Sequence, residues 1–205
     1  MKMSELARAS GVPVATIKFY LRERLLPPGR ATSATQAQYD GEHLARLRLI
    51  RALVDVGRLP LASVRTVLQV VDAGDEATPA AVGTAHDALP PDVDRSGPPP
   101  ERAVRVVRGL GWQVDPYSSA LYQLEAALGA VDAVGLAPSP ERLHAYASAA
   151  LEVARVDVAD VPAGEPADAV QYVVIGTVLY EPVLLALRRL AQQHVFTTEA
   201  PPRRR

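Results

Sequence analysis

Residues 3–30, MSELARASGVPVATIKFYLRERLLPPGR, and residues 38–68, QYDGEHLARLRLIRALVDVGRLPLASVRTVL, decide the fold. Ser4 is placed to cap a first helix through Ser10, and Gly11 can end it in the left-handed conformation that glycine tolerates. Pro13 suits the first turn of a second helix, expected to reach about Arg24. Two short helices joined by a tight glycine-containing turn predict a helix-turn-helix. From Leu25 to Gln38 the chain carries Pro27, Pro28, Gly29, Thr32, Ser33 and Thr35, a composition that excludes helix and predicts an extended loop or small hairpin, a wing. Asp40 then caps a third helix ending at Gly57, and Pro60 opens a fourth that runs to about Asp72. Arg48, Arg51 and Asp55 share one face of the third helix, while Leu47, Ile50 and Val54 share another that is suited to burial.

In the second helix, Val14, Ile17 and Leu21 recur at i, i+3 and i+7 and are expected to pack on the first helix. Thr16, Lys18, Phe19 and Arg22 then point outward. Hydroxyl and ammonium donors suit phosphate oxygens, and an aromatic edge can pack on sugars or a thymine methyl. For Tyr20 a core role and a DNA-facing role are both open. The ordered series ELA, GV, TIKFY, LLPP, a wing tyrosine and L-x-R-L-x-x-I resembles the MerR family of transcription regulators, over about a third of the chain.

The resemblance implies a winged helix-turn-helix at residues 1–72 that binds double-stranded promoter DNA as a homodimer and works with RNA polymerase. It implies that the positions of Thr16, Lys18 and Tyr20, with wing residues Gln38 and Tyr39, face DNA. Three departures stand out. Ala15 occupies a position where many relatives carry a base-reading side chain. The wing reads Thr35-Gln36-Ala37-Gln38-Tyr39 where the family usually has an arginine, so Arg30 is the expected substitute, supported by Arg46, Arg48 and Arg58. The long dimer helix that usually follows the fourth helix is not legible, because residues 73–100 lack a sustained heptad and are broken by Pro90, Pro91, Pro98, Pro99 and Pro100.

Charge divides along the same line. Residues 1–72 hold eleven Lys/Arg against six Asp/Glu, a net +5, and residues 73–205 hold eleven against seventeen, a net −6. A basic module ahead of an acidic one is the distribution expected when the first part meets a polyanion. Residues 73–100 read as a linker with at most one short helix near Ala80–Leu89, residues 101–198 as a helical effector-binding or dimerisation domain, and residues 199–205 as a disordered tail. Helices are expected at Glu101–Leu110, Pro116–Val134, Ser139–Ala159 and Ala167–Phe196, the last with a kink or break before Pro182. The fold class is therefore all-α with a small β wing.

The apolar run Val170–Leu187 is interrupted by Gln171, Glu181 and Pro182, which argues against a membrane span and for a buried or dimer helix. No secretory signal is legible at the start, so a cytoplasmic location is expected. The absence of cysteine excludes thiolate metal sites and thiol nucleophiles, and His43, His86, His144 and His194 show no ligand spacing, so no metal or cofactor is expected. No phosphate-binding glycine loop, G-x-S-x-G or H-E-x-x-H occurs, and catalysis is not expected. Trp112, Tyr117, Tyr122, Tyr172 and Tyr180, with Glu181 as counter-charge, are the residues expected to line a pocket for a hydrophobic or cationic organic ligand. The alternative is a helical domain that only dimerises or docks a protein partner.

Overall fold

A computed structural model describes residues 1–33, 36–73, 93–161 and 166–198. Among them are eight α-helices and one two-stranded antiparallel sheet. The expected helix at Ala80–Leu89 and the tail 199–205 lie outside the described residues. The chain divides into two compact units, one formed by Met1–Leu68 with the chain from Thr177 onward, the other by Gln69–Gly176.

In the first unit, α1 spans Met3–Ser10 and α2 spans Val14–Arg22. Ser4 is not the cap. The cap position is Lys2, whose backbone N–H donates to the Glu5 carboxylate at 2.7 Å. That bond satisfies a donor at the helix start and, as its main cause, holds the Glu5 carboxyl below the usual range. Gly11 closes α1 at φ 68°, as expected. In the turn, the Ser10 hydroxyl donates to the Leu6 carbonyl and accepts from the Val12 N–H, so the buried Ser10 is fully satisfied.

The buried face of α2 differs from the expected one. Ile17 and Tyr20 are its buried residues, whereas Val14 is 36 % exposed. The three-residue step from Ile17 to Tyr20, and not the Val14–Leu21 line, faces the core. Both Leu25 and Leu26 N–H groups donate to the Tyr20 carbonyl, which turns the chain out of α2 and buries both leucines. Arg24 takes a left-handed φ of 57° in that turn.

The wing is a hairpin of β1 (Arg30–Ser33) and β2 (Gln36–Gln38), with Arg30 opposite Gln38. Asp40 caps α3 (Gly41–Arg51), its carboxylate accepting from the backbone of Glu42 and His43. From Ala52 to Val56 the helix widens to π geometry before Gly57 ends it. α4 spans Leu61–Asp72. Leu6, Ile17, Leu25, Leu26, Leu47, Ile50, Leu53, Val64 and Val67 form the fully buried centre of this unit. Each buried leucine contributes about 2–5 kcal/mol against truncation to alanine.

In the second unit, α5 (Glu101–Gly109) packs on α6 (Ser119–Ala133) through Ala103, Val107 and Leu121. The Glu125 carboxylate of α6 accepts from the Ala103 N–H at 2.7 Å and so caps α5 from a neighbouring helix. Arg102 and Asp132 pair across the same two helices. α6 begins at Ser119, later than the expected Pro116, because residues 116–118 turn around Asp115, whose side chain accepts from the Tyr117 N–H. α7 spans Pro140–Ala159, capped by Ser139. α8 spans Pro166–Thr198 and belongs to this unit up to Gly176 and to the first from Thr177 onward. Of the kink or break expected before Pro182, the break is absent, since the helix runs through that proline. The cost is the one N–H that Pro182 cannot donate to the Val178 carbonyl.

Candidate nucleic-acid interface

The α2 face and the wing enclose a groove of about 520 Å³ lined by Val14 and Lys18 from α2, by Thr32, Gln36 and Gln38 from the hairpin, and by Lys2 and Ser4 from the start of α1. Its geometry follows from two backbone bonds. The amine of Met1 donates to the Tyr39 carbonyl at 2.6 Å, and the Tyr39 N–H donates to the Met1 carbonyl at 2.9 Å. These bonds hold the start of α1 beside the base of the wing. On the far side of that base, Gly29 lies so close to the wing that a Cβ there would stand 2.7 Å from the Gln38 carbonyl and 2.8 Å from the Tyr39 ring. Only glycine allows the Pro27-Pro28-Gly29 loop to close over the hairpin without displacing it.

Lys18 is exposed on this face, whereas Thr16, two positions back and so on the opposite side of α2, is partly buried. Phe19 is partly buried, with the Arg22 guanidinium 5.3 Å above its ring centroid, a cation–π contact that holds Arg22 on the outer side of α2. Arg30 and Gln38 are exposed on the wing. Lys18, Phe19, Arg22, Arg30 and Gln38 are therefore at or next to the open surface of α2 and the hairpin, and Thr16 lies away from it. Lys18 and Gln38 both line the groove.

Three more of the expected contact residues are placed differently. Tyr20 is only 7 % exposed, with its ring in the core, where burial raises the phenol pKa. Of its two open roles the structure gives it the interior one. Tyr39 is also buried, stacked edge-on against His43 with centroids 5.2 Å apart. It nevertheless lines the groove. Arg46 points its Nε to the Leu25 carbonyl at 3.0 Å and braces the turn after α2. Arg48 and Arg58 are exposed, Arg58 with a left-handed φ of 56°.

Sequence reasoning passed over Lys2, Ser4, Thr32 and Gln36. Lys2 carried a signal, since Lys2 and Lys18 are the only lysines in a chain otherwise supplied with arginine. Nothing local, however, says that residue 2 meets a wing more than thirty residues away.

His43 adds a polar brace behind the interface. Its Nδ1 lies 2.6 Å from the Asp40 carboxylate and its Nε2 3.4 Å from the Pro28 carbonyl. Hydrogen bonding by the His43 side chain and backbone holds the Asp40 carboxyl below its ordinary pKa.

The aromatic set expected to line a ligand pocket is dispersed in role. Trp112 packs partly buried on Ala103, Val107 and Leu121, and Tyr122 is buried with its hydroxyl donating to the Gly97 carbonyl at 3.3 Å. Tyr117 is exposed and Tyr172 is partly buried. Tyr180 and Glu181 belong to the other unit and are exposed, although desolvation by its apolar helix raises the Glu181 carboxyl pKa. Among the described residues, no helix is long and apolar enough to cross a membrane, and no three His, Asp or Glu side chains gather as a metal-sized cluster.

Residues 1–70 match the family described as MerR HTH family regulatory protein. The HTH-type transcriptional regulator ZntR homolog of Haemophilus influenzae (strain ATCC 51907 / DSM 11121 / KW20 / Rd) is 46 % identical over 50 residues, which are 24 % of this chain and 37 % of that protein. The chain thus spans well under half the length of that curated relative. Over the whole of both chains, the crystal structure of SCO5550 from Streptomyces coelicolor A3(2), a candidate transcriptional regulator, is similar at 34 % identity with a TM-score of 0.67.

Proposed function

The chain belongs to the MerR family of helix-turn-helix transcription regulators, and from that premise we propose that it binds an inverted-repeat site in promoter DNA as a homodimer. One helix-turn-helix covers one half-site, so a two-fold operator calls for two copies. The observation that carries this reading is the groove shared by α2 and the wing, with Lys2 and Lys18 on its walls. α2 would enter the major groove, Lys18, Arg22 and Arg30 would meet phosphates, and Gln38 would offer hydrogen bonds. Lysine serves here as a mobile point charge on phosphate, a role that needs no fork geometry.

In this reading the protein is regulatory and not catalytic, it acts in the cytoplasm, and RNA polymerase engages the promoter that it reshapes. A small hydrophobic or cationic organic ligand received by the helical domain would shift the DNA-binding equilibrium. The burial of Tyr122 on Gly97 and of Trp112 on the α5–α6 core favours a second reading, in which the helical domain works without a ligand.

Fluorescence anisotropy on the protein's own promoter region, with a salt titration and a library of hydrophobic and cationic compounds, tests both. Specific affinity tighter than about 10⁻⁸ M that falls steeply with salt supports operator recognition. Weak, sequence-blind binding overturns it. A compound that shifts the affinity selects the ligand-responsive reading, and none doing so selects the second.

A further inference from the structure

His43, on the first turn of α3, is only 8 % exposed and has an oxygen acceptor against each ring nitrogen. Its Nδ1 is 2.6 Å from the Asp40 carboxylate, and its Nε2 is 3.4 Å from the Pro28 carbonyl. A neutral imidazole has one N–H and one lone pair, so it serves one of these oxygens and turns a lone pair on the other. The charged ring donates to both. The short, charge-assisted contact with Asp40 keeps a proton on Nδ1, which leaves the Nε2 proton as the one that comes and goes.

That proton acts at a tight place. Pro28 precedes Gly29, whose backbone lies against the Gln38 carbonyl and the Tyr39 ring with no room for a Cβ. The Tyr39 ring in turn meets the His43 ring edge-on at 5.2 Å between centroids. The Pro27-Pro28-Gly29 loop, the base of the hairpin and the start of α3 thus close around one imidazole. The charged groups about it are the Asp40 carboxylate, Arg46 one turn along α3 with its Nε on the Leu25 carbonyl, and the Met1 amine on the Tyr39 carbonyl. We propose that His43 is a positioning residue for the wing: its imidazolium form clasps the Pro28 carbonyl to α3 and holds the hairpin in place for DNA, so that affinity falls as Nε2 loses its proton. The proposal rests on the DNA-binding reading above and adds to it a residue that touches no DNA. Because the clasped form is the protonated one, the hold is complete at lower pH and is lost as pH rises.

Anisotropy of the full chain on its promoter region, at fixed ionic strength, is expected to show affinity falling about fivefold between about pH 6 and about pH 8. His43→Gln serves one oxygen without charge and should give a flat profile near the wild type's high-pH level, which separates His43 from the Met1 amine. Asp40→Asn removes the carboxylate that favours the charged ring and should move the fall to lower pH. Nitrogen NMR of the DNA-free chain should find both ring nitrogens of His43 protonated at about pH 6, with the Gly29 and Gln38 amides shifting as the second proton leaves. Circular dichroism checks that each variant is folded, and if His43→Gln loses helix, Asp40→Asn and the wild-type spectra decide. A ring that is neutral at about pH 6, or a pH profile that His43→Gln leaves unchanged, overturns the clasp. A protein that binds no DNA overturns the DNA-binding reading, and the ring and amide spectra then decide the clasp by themselves.

Discussion

Lys2 and Lys18, the only lysines of the chain, line one groove, the first from the start of α1 and the second from the middle of α2. They stand sixteen positions apart in sequence, and the turn at Gly11 brings both to the wing side of the domain. If each holds one phosphate, Lys2→Ala and Lys18→Ala should each flatten the slope of log K against log salt by about 0.9, and the double variant by about twice that. The loss should be equal on operator and on unrelated DNA. An unchanged slope for either variant removes that lysine from the contact.

Arg30 and Arg46 should separate cleanly. Arg30 is exposed on β1, so Arg30→Ala should leave the melting temperature unchanged and lower the salt slope. Arg46 donates to the Leu25 carbonyl, and a hydrogen bond from a charged donor is worth about 1.5–3 kcal/mol. Arg46→Ala should lower stability by roughly that amount in urea unfolding, with its effect on DNA affinity following the loss of folded protein.

Tyr20 tests burial against DNA contact. With the ring in the core, Tyr20→Ala should cost about 3–5 kcal/mol. Tyr20→Phe should keep the affinity for DNA within about twofold, a comparison anisotropy can make directly. A large loss of affinity in a fully stable Tyr20→Phe protein would restore the DNA role.

Asp40 sets an acid limit. Its carboxyl is held below the ordinary value by His43, so the folded state binds its proton less readily than the unfolded state. The stabilisation is present above the unfolded value of about 3.9 and is lost as pH falls through the lower folded value. Melting curves of wild type and Asp40→Ala should therefore differ at neutral pH and converge in strong acid. Parallel curves across the whole range would show that the cap contributes nothing.

At Gly57 a methyl group would meet both Val178 Cγ1 at 2.5 Å and the Leu53 carbonyl at 2.8 Å. Gly57→Ala should destabilise by about 1–3 kcal/mol, as overpacking does. Val178→Ala in the same chain should recover part of this loss, because the Leu53 clash is with backbone and stays. A double-mutant cycle with no coupling would mean that α8 does not seat there.

Local chemistry made much of this protein legible in its residues. Gly11, Asp40 and the prolines act within a few positions of themselves, so the end of α1, the start of α3 and the wing could be placed from composition and caps alone. The wheel of α2 was read one step wrong. Val14, Ile17 and Leu21 fit a helical face as well as Ile17 and Tyr20 do, and only the angle at which α2 meets its neighbours chooses between them. Pro182 does not end α8, so of the expected kink or break the break did not form. A proline costs one backbone bond, which a 33-residue helix can absorb.

What the sequence determined by itself is the helix-turn-helix, the hairpin, the basic-to-acidic division and the exclusion of thiol chemistry, because each depends on residue type and short spacing. What only the tertiary structure decided is which polar groups stand at the groove and which lie inside. Tyr20 carries the chemistry of a DNA contact yet lies in the core and Arg46 braces the Leu25 carbonyl, while Lys2, with nothing local to mark it, is brought to the wing by the Met1–Tyr39 backbone pair. The physical reason is that burial and proximity between distant segments are set by packing, which no single stretch of chain contains.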